Sequence, residues 1–127
     1  MMSIRLLCTA LLAGLVAACG TSLPKTSFAE PAALKQAMQS YYERHATEEY
    51  GYCSMPYIEG LTKVEMVTDQ PDRLVLDVRF LYRDQIKRDR GDNRGHECTG
   101  YAGRRFTFTK SSSGNVEVVD MTGPRRG

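Results

Sequence analysis

The sequence predicts an α+β domain: one N-terminal helix packed on a curved four-stranded antiparallel sheet, in two layers. A stretch rich in helix-forming residues comes first, at 31–49. Residues 73–83 then alternate apolar and polar side chains, a pattern typical of a strand with one covered face and one wet face. The other strand candidates follow through mostly short connections, and a helix followed by such strands favours a two-layer α+β architecture.

The helix is predicted from Pro31 to about Glu49. Pro31 suits the first helical position, because its missing N–H is not needed there. Apolar positions recur at steps of three and four residues, which predicts one buried stripe. The members of the stripe are Leu34, Ala37 or Met38, Tyr41 and His45. Gly51 marks the stop.

Four strands are predicted after the helix. The first spans 57–68 and ends in a turn at 69–72 that contains Pro71. The second, at 73–83, is the clearest, since its inward positions are all apolar. These inward residues are Leu74, Leu76, Val78, Phe80 and Tyr82.

The third strand is predicted at 103–110, with Phe106 and Phe108 inward and Arg105, Thr107 and Thr109 outward. A serine-rich hairpin at 111–115 leads to the last strand at 116–121. Residues 84–100 are mostly polar and break the alternation, so they are read as a loop or a frayed strand end. This order of elements resembles the cystatin-like and nuclear-transport-factor-2-like architectures. The glutamine-valine-glycine motif of cystatins is absent, so the resemblance implies no protease inhibition.

The chain divides into a signal at 1–18, a tether at 19–29 and a single domain at 30–127. Arg5, an uncharged apolar run at 6–16 and the small residues Ala17 and Ala18 are the parts of an export signal. The apolar run is well short of the roughly 20 residues that span a bilayer. Residues 20–29 are mostly small and polar, which is typical of a tether.

The motif Val16-Ala17-Ala18-Cys19 resembles the lipobox of bacterial lipoproteins. The resemblance implies that Cys19 carries diacylglycerol, that the chain is cut before it, and that its new amino group is acylated. Two or three acyl chains on one residue hold a protein stably in the lipid bilayer. Gly20 stands where members kept at the inner membrane often carry Asp. The resemblance therefore favours the outer membrane, with the domain facing the periplasm; the alternative is an ordinary secretory signal with a chance cysteine.

The four cysteines are then assigned to three different roles. Cys8 leaves with the signal and Cys19 carries lipid. Cys53 and Cys98 remain as a pair in an oxidising compartment, which predicts one disulfide. A zinc site built from these two cysteines with His96 and Glu97 is the less favoured alternative, because no Cys-x-x-Cys pair is present.

Net charge excludes one class of partner. The chain carries 17 Lys and Arg against 15 Asp and Glu, and removal of Arg5 with the signal brings the balance closer to neutral. A nearly neutral exported protein is not expected to bind nucleic acid. We expect no cofactor and no metal.

One group of cations is a candidate contact for an anionic envelope partner, because guanidinium groups bind phosphate or carboxylate through paired hydrogen bonds. The group comprises Lys87, Arg88, Arg90, Arg94, Arg104 and Arg105. Asp84, Asp89, Asp92 and Glu97 are interleaved with it, so an ordinary solvated loop is the favoured alternative.

No residue pattern predicts catalysis. His45 and Glu49 share a helical face, which is more typical of a hydrogen-bonded pair than of a relay. The tyrosines at 41, 42, 50, 52 and 57 favour packing over a pocket lining. Three functions stay open, in this order: a non-enzymatic binding or structural lipoprotein whose partner is an envelope protein or anionic component, a small-ligand binder using a helix–sheet cavity, and a hydrolase-like enzyme.

Overall fold

The computed structural model describes residues 21–84 and 98–127. Within these ranges the chain forms helix α1 (Pro31–His45), a 3-10 turn (Glu49–Gly51) and four strands: β1 (Pro56–Asp69), β2 (Arg73–Asp84), β3 (Thr99–Lys110) and β4 (Val116–Met121). The strands pair antiparallel in the order β1-β2-β3-β4. The α+β class and the four-stranded antiparallel sheet are therefore confirmed.

The core contains residues of α1 and of the inward face of the sheet. The alternation in β2 buries Leu74, Leu76, Val78, Phe80 and Tyr82, as predicted. On the helix, Leu34, Met38 and Tyr42 are fully buried. The ring of Tyr42 meets that of Phe80 edge-on, with centroids 5.0 Å apart. The helix contacts both edge strands, β1 and β4.

Helix α1 ends four residues earlier than predicted. Ala46 is extended, with φ −81° and ψ 149°. Residues Ala46, Thr47 and Glu48 are buried, and they pair with other segments instead of continuing the helix. Ala46 forms an isolated bridge with Arg125, and Glu48 forms one with Cys53. These tertiary contacts override the good helix propensity of the segment. The helical stripe also differs, since Tyr42 is buried while Tyr41 is only partly covered and His45 is exposed.

Strand β3 begins at Thr99, four residues before the predicted start. Gly100 lies opposite Tyr82, and an added Cβ at this position would approach the Tyr82 hydroxyl oxygen to 2.7 Å. A glycine therefore suits this position inside the strand, because the tyrosine ring packs directly over it.

The described part of the predicted tether packs against the domain. Leu23 is 6% exposed and Phe28 is 1% exposed, and both belong to the hydrophobic core. The Thr21 hydroxyl donates to the Thr62 carbonyl in β1 at 3.2 Å. Leu23 and Phe28, the two larger apolar residues of the segment, therefore belong to the core, and the chain contacts the domain from Thr21 onward.

Candidate functional site

The structure separates the predicted cationic residues. Lys87, Arg88, Arg90 and Arg94 lie outside the described residues. Arg104 and Arg105 are neighbours in β3, so their side chains point to opposite faces of the sheet. Arg104 is 4% exposed, whereas the side chain of Arg105 is 50% exposed. Arg104 therefore does not present its charge to a surface partner.

The guanidinium of Arg104 is fully engaged inside the domain. Nε and Nη2 donate to Glu48 Oε1 at 3.1 and 2.7 Å, and Nη2 also donates to the Thr47 carbonyl at 2.7 Å. Nη1 donates to the carbonyls of Thr122 and Pro124, both at 2.9 Å. These contacts occupy all the N–H groups of the side chain. Arg104 thus joins β3, the residues after α1 and the segment after β4.

Tyr42 completes this buried polar cluster. Its hydroxyl donates to Glu48 Oε1 at 3.0 Å, and Arg104 Cζ lies 5.4 Å from the centre of its ring. Burial, followed by the negative charge of Glu48, raises the pKa of the Tyr42 hydroxyl. The phenol therefore remains a neutral donor at neutral pH, and the cluster acts as an internal brace.

The outer face of the sheet carries charges in a different arrangement. Arg105 makes two hydrogen bonds to the carboxylate of Asp77, at 2.7 and 3.0 Å. The hydrogen bond from Arg105 holds the pKa of the Asp77 carboxyl below its usual value. Lys63 and Glu65 form a second ion pair at 2.8 Å. Both pairs are exposed to solvent, so their effect on stability is small.

A groove of about 440 Å³ opens on this outer face. Gly103 contributes only backbone to its floor, and an added Cβ there would lie 3.5 Å from Cγ of the Arg79 side chain. The register aligns Lys63, Arg79 and Gly103 in one row across β1, β2 and β3. Among residues 21–84 and 98–127, Arg79 makes no ion pair. Arg79 is thus a cation without an ion pair beside a depression, as are Lys35 and Arg44 at two other depressions of the described residues.

The Cys53–Cys98 disulfide is confirmed, with Cα atoms 5.6 Å apart. Glu49 Oε2 lies 2.8 Å from Cys53 Sγ and accepts a hydrogen bond from the Tyr82 hydroxyl at 3.3 Å. Burial and the charge of Glu49 raise the pKa of Tyr82 to about 12. Glu49, Cys53 and Cys98 are close enough to share a metal, but a bonded sulfur is not the thiolate that zinc prefers. His96 and Glu97, the other members of the zinc alternative, lie outside the described residues.

The His45 and Glu49 side chains do not meet across a helical face, because α1 ends between them. The His45 ring instead contacts Tyr41, with ring centroids 4.3 Å apart. Tyr50 is fully exposed at the tip of the 3-10 turn, where Glu49 and Tyr50 both have positive φ. The run of tyrosines is thus spread over core, rim and solvent, and it does not line one cavity.

The buried Glu48–Arg104 pair was not identified from the sequence. A usable signal was present: Arg104 has the same parity along β3 as the inward Phe106 and Phe108. An arginine at an inward position requires a buried acceptor, and the sequence did not reveal which carboxylate would supply it.

Among the described residues, no helix has the length and apolar character needed to cross a membrane. Comparison with protein families, with curated proteins and with solved structures found no match to this chain.

Proposed function

We propose that this chain is a lipid-anchored protein of the bacterial cell envelope that works as a binding or structural module and not as an enzyme. The observation that carries the proposal is the motif Val16-Ala17-Ala18-Cys19 at the end of an uncharged apolar run. Acylation of Cys19 would place the domain at the membrane surface, facing the periplasm. Gly20 favours the outer membrane over the inner one.

The redox chemistry of the domain supports this location. The two cysteines left beyond the lipobox are joined to each other in the structure. Disulfides persist in oxidising compartments such as the periplasm and are rare in the cytosol. The bond is thus consistent with an exported protein.

Two features of the described residues support a surface role. The largest side chains between helix and sheet pack on one another, among them Tyr42, Phe80, Leu34 and Met38. The buried Arg104 guanidinium donates to the Glu48 carboxylate and to backbone carbonyls. These two features favour a protein that binds a partner through the charged outer face of its sheet over a protein that carries out chemistry in its interior.

The curvature of the sheet is a second part of this proposal. We propose that the sheet curves around α1 as the second layer of the domain. Neighbouring strands lie about 4.8 Å apart, so a flat sheet of this order would separate its edge strands by roughly 14 Å. Contacts of α1 with both β1 and β4, and three register shifts along β1, support the curvature.

Mass spectrometry of the protein from envelope membranes tests the anchor. We expect an acylated N-terminal peptide that begins at Cys19, and we expect Cys19→Ser to leave the chain unprocessed or release it from the membrane. Cys8→Ser is the matched control, since it lies in the apolar run, and processing should be unchanged. An intact Met1 terminus, or a free Cys19 thiol after cleavage, would contradict the proposal.

A further inference from the structure

The distance between the proposed anchor and the domain is short. Gly20 alone separates Cys19 from Thr21, and Thr21 is already bound to Thr62 in β1. Two residue steps span at most about 7 Å. Leu23, two residues after Thr21, is buried in the core. Residues 21–23 therefore cannot straighten to lengthen this distance without removing Leu23 from the core. An acylated Cys19 would therefore hold β1 next to the membrane.

The residue after Thr62 is the first cation of the outer-face row. Lys63 lies opposite Arg79, which lies opposite Gly103. Like charges that face each other across two strands destabilise a sheet. Lys63 pairs with Glu65 within β1 in an exposed contact that solvent screens, while Arg79 has no ion pair in the described ranges. An anion above Gly103 would relieve this repulsion.

An aromatic residue lies on the same face. Tyr101 is two positions from Gly103 in β3, so both point outward, and Tyr101 is 76% exposed. Tyrosine is enriched at the level of lipid headgroups, where its ring contacts apolar groups and its hydroxyl contacts water. The two carboxylates that line the groove pair with Lys63 and Arg105, so Arg79 is the cation without an ion pair beside this tyrosine in the described ranges.

We propose that the groove floored by Gly103 binds the phosphate groups of anionic phospholipids, so that the outer face of the sheet docks on the bilayer that holds Cys19. This inference rests on the proposed lipid anchor. Arg79 donates paired hydrogen bonds to phosphate oxygens, and Lys63 adds a second charge. Each such cation near an anionic surface strengthens the contact about fivefold.

Tryptophan fluorescence tests the docking, because the chain contains no tryptophan. The acylated full-length protein carrying Tyr101→Trp is reconstituted into vesicles of brominated phosphatidylglycerol and phosphatidylcholine. We expect bromine to quench this tryptophan, and we expect 1 M salt, where the Debye length is about 3 Å, to restore its emission. A tryptophan in place of Gln36, an exposed residue of α1, should remain unquenched.

Arg79→Gln should lower the docked-to-undocked ratio about fivefold, and adding Lys63→Gln should lower it further. Arg44→Gln is the matched control, since it removes one exposed arginine from α1 and should leave quenching unchanged. A protein that floats with the vesicles but shows no quenching at position 101 would overturn the docking and leave the anchor intact. Equal quenching in purely zwitterionic vesicles would also overturn the phosphate assignment. A protein that does not float would contradict the anchor itself, and the docking with it.

Discussion

At the scale of single residues, Arg104 and Glu48 form an ion pair inside the domain. Removing two charges from water is costly, and their attraction offsets this cost only when the remaining donors and acceptors are also satisfied. Here two backbone segments and the Tyr42 hydroxyl supply the missing partners. The value of the pair lies in specificity, because only one arrangement of helix end, β3 and C-terminal segment satisfies the guanidinium.

Arg104→Met is expected to destabilise the domain by about 3–5 kcal/mol, because it leaves the Glu48 carboxylate buried without its partner. Urea unfolding followed by circular dichroism measures the loss. Arg105→Met is the matched control: its side chain is 50% exposed, so its loss should cost less than about 1 kcal/mol. The double variant Glu48→Gln with Arg104→Met should lose less than the two single changes combined. Similar losses for Arg104→Met and Arg105→Met would contradict the interior role.

At the scale of elements, the disulfide connects the start of the sheet to its centre. Cys53 precedes β1 and Cys98 precedes β3, so the bond encloses the β1–β2 hairpin and the segment after it. The loop beside it is locally strained, since Glu49 and Tyr50 adopt positive φ without being glycine. The bond and the Glu48–Cys53 bridge hold this loop against the sheet.

Replacing both Cys53 and Cys98 by Ala is expected to reduce the free energy of unfolding by about 4 kcal/mol, because the unfolded chain regains the freedom of a closed segment with a sequence separation of 45 residues. Thermal and urea unfolding of the oxidised protein and of the variant give the difference. Wild type treated with reductant should behave like the variant, whereas the variant itself should not respond to reductant. A variant as stable as the oxidised protein would contradict the stabilising role.

At the scale of the whole molecule, the C-terminal segment binds the domain together. The Arg126 amide donates to the His45 carbonyl at 2.8 Å, and its guanidinium donates to the carbonyls of Glu43 and Ser54, both at 2.6 Å. The Thr47 amide donates to the Pro124 carbonyl at 3.2 Å. The basic tail of the sequence therefore caps the C-terminus of α1, where a positive charge is also favoured by the helix dipole.

Arg126→Met is expected to destabilise the domain by about 2 kcal/mol, since two charge-assisted hydrogen bonds to helix and loop carbonyls are lost. Amide hydrogen exchange should become faster in the last turn of α1. Arg125→Met is the comparison, because the Arg125 guanidinium bonds Asp120, Tyr41 and the Met121 carbonyl and no carbonyl of α1, so exchange in the last turn should change less. Equal exchange rates in the last turn for wild type and Arg126→Met would show that the tail does not cap the helix.

Period-two alternation predicted β2 well, because burial on one face of a strand leaves a direct mark on the sequence. Features that depend on distant partners were not predictable in the same way. The sequence predicts a helix to about Glu49, and the pairing of Ala46 with Arg125 and of Glu48 with Cys53 ends it at His45. Leu23 and Phe28 lie among small polar residues, so nothing local showed that they reach the core.

The position of the Arg104 acceptors has a consequence for biosynthesis. A ribosome makes Thr47 and Glu48 first, then Arg104, and the Thr122 and Pro124 carbonyls last. Until residues 122–124 have emerged, the guanidinium lacks two of its acceptors, and burying it would leave donors unsatisfied. Completion of the interior therefore waits for the synthesis of residues 122–124. We therefore expect a chain that stops before Thr122 to keep Arg104 in contact with water and to leave the interior open.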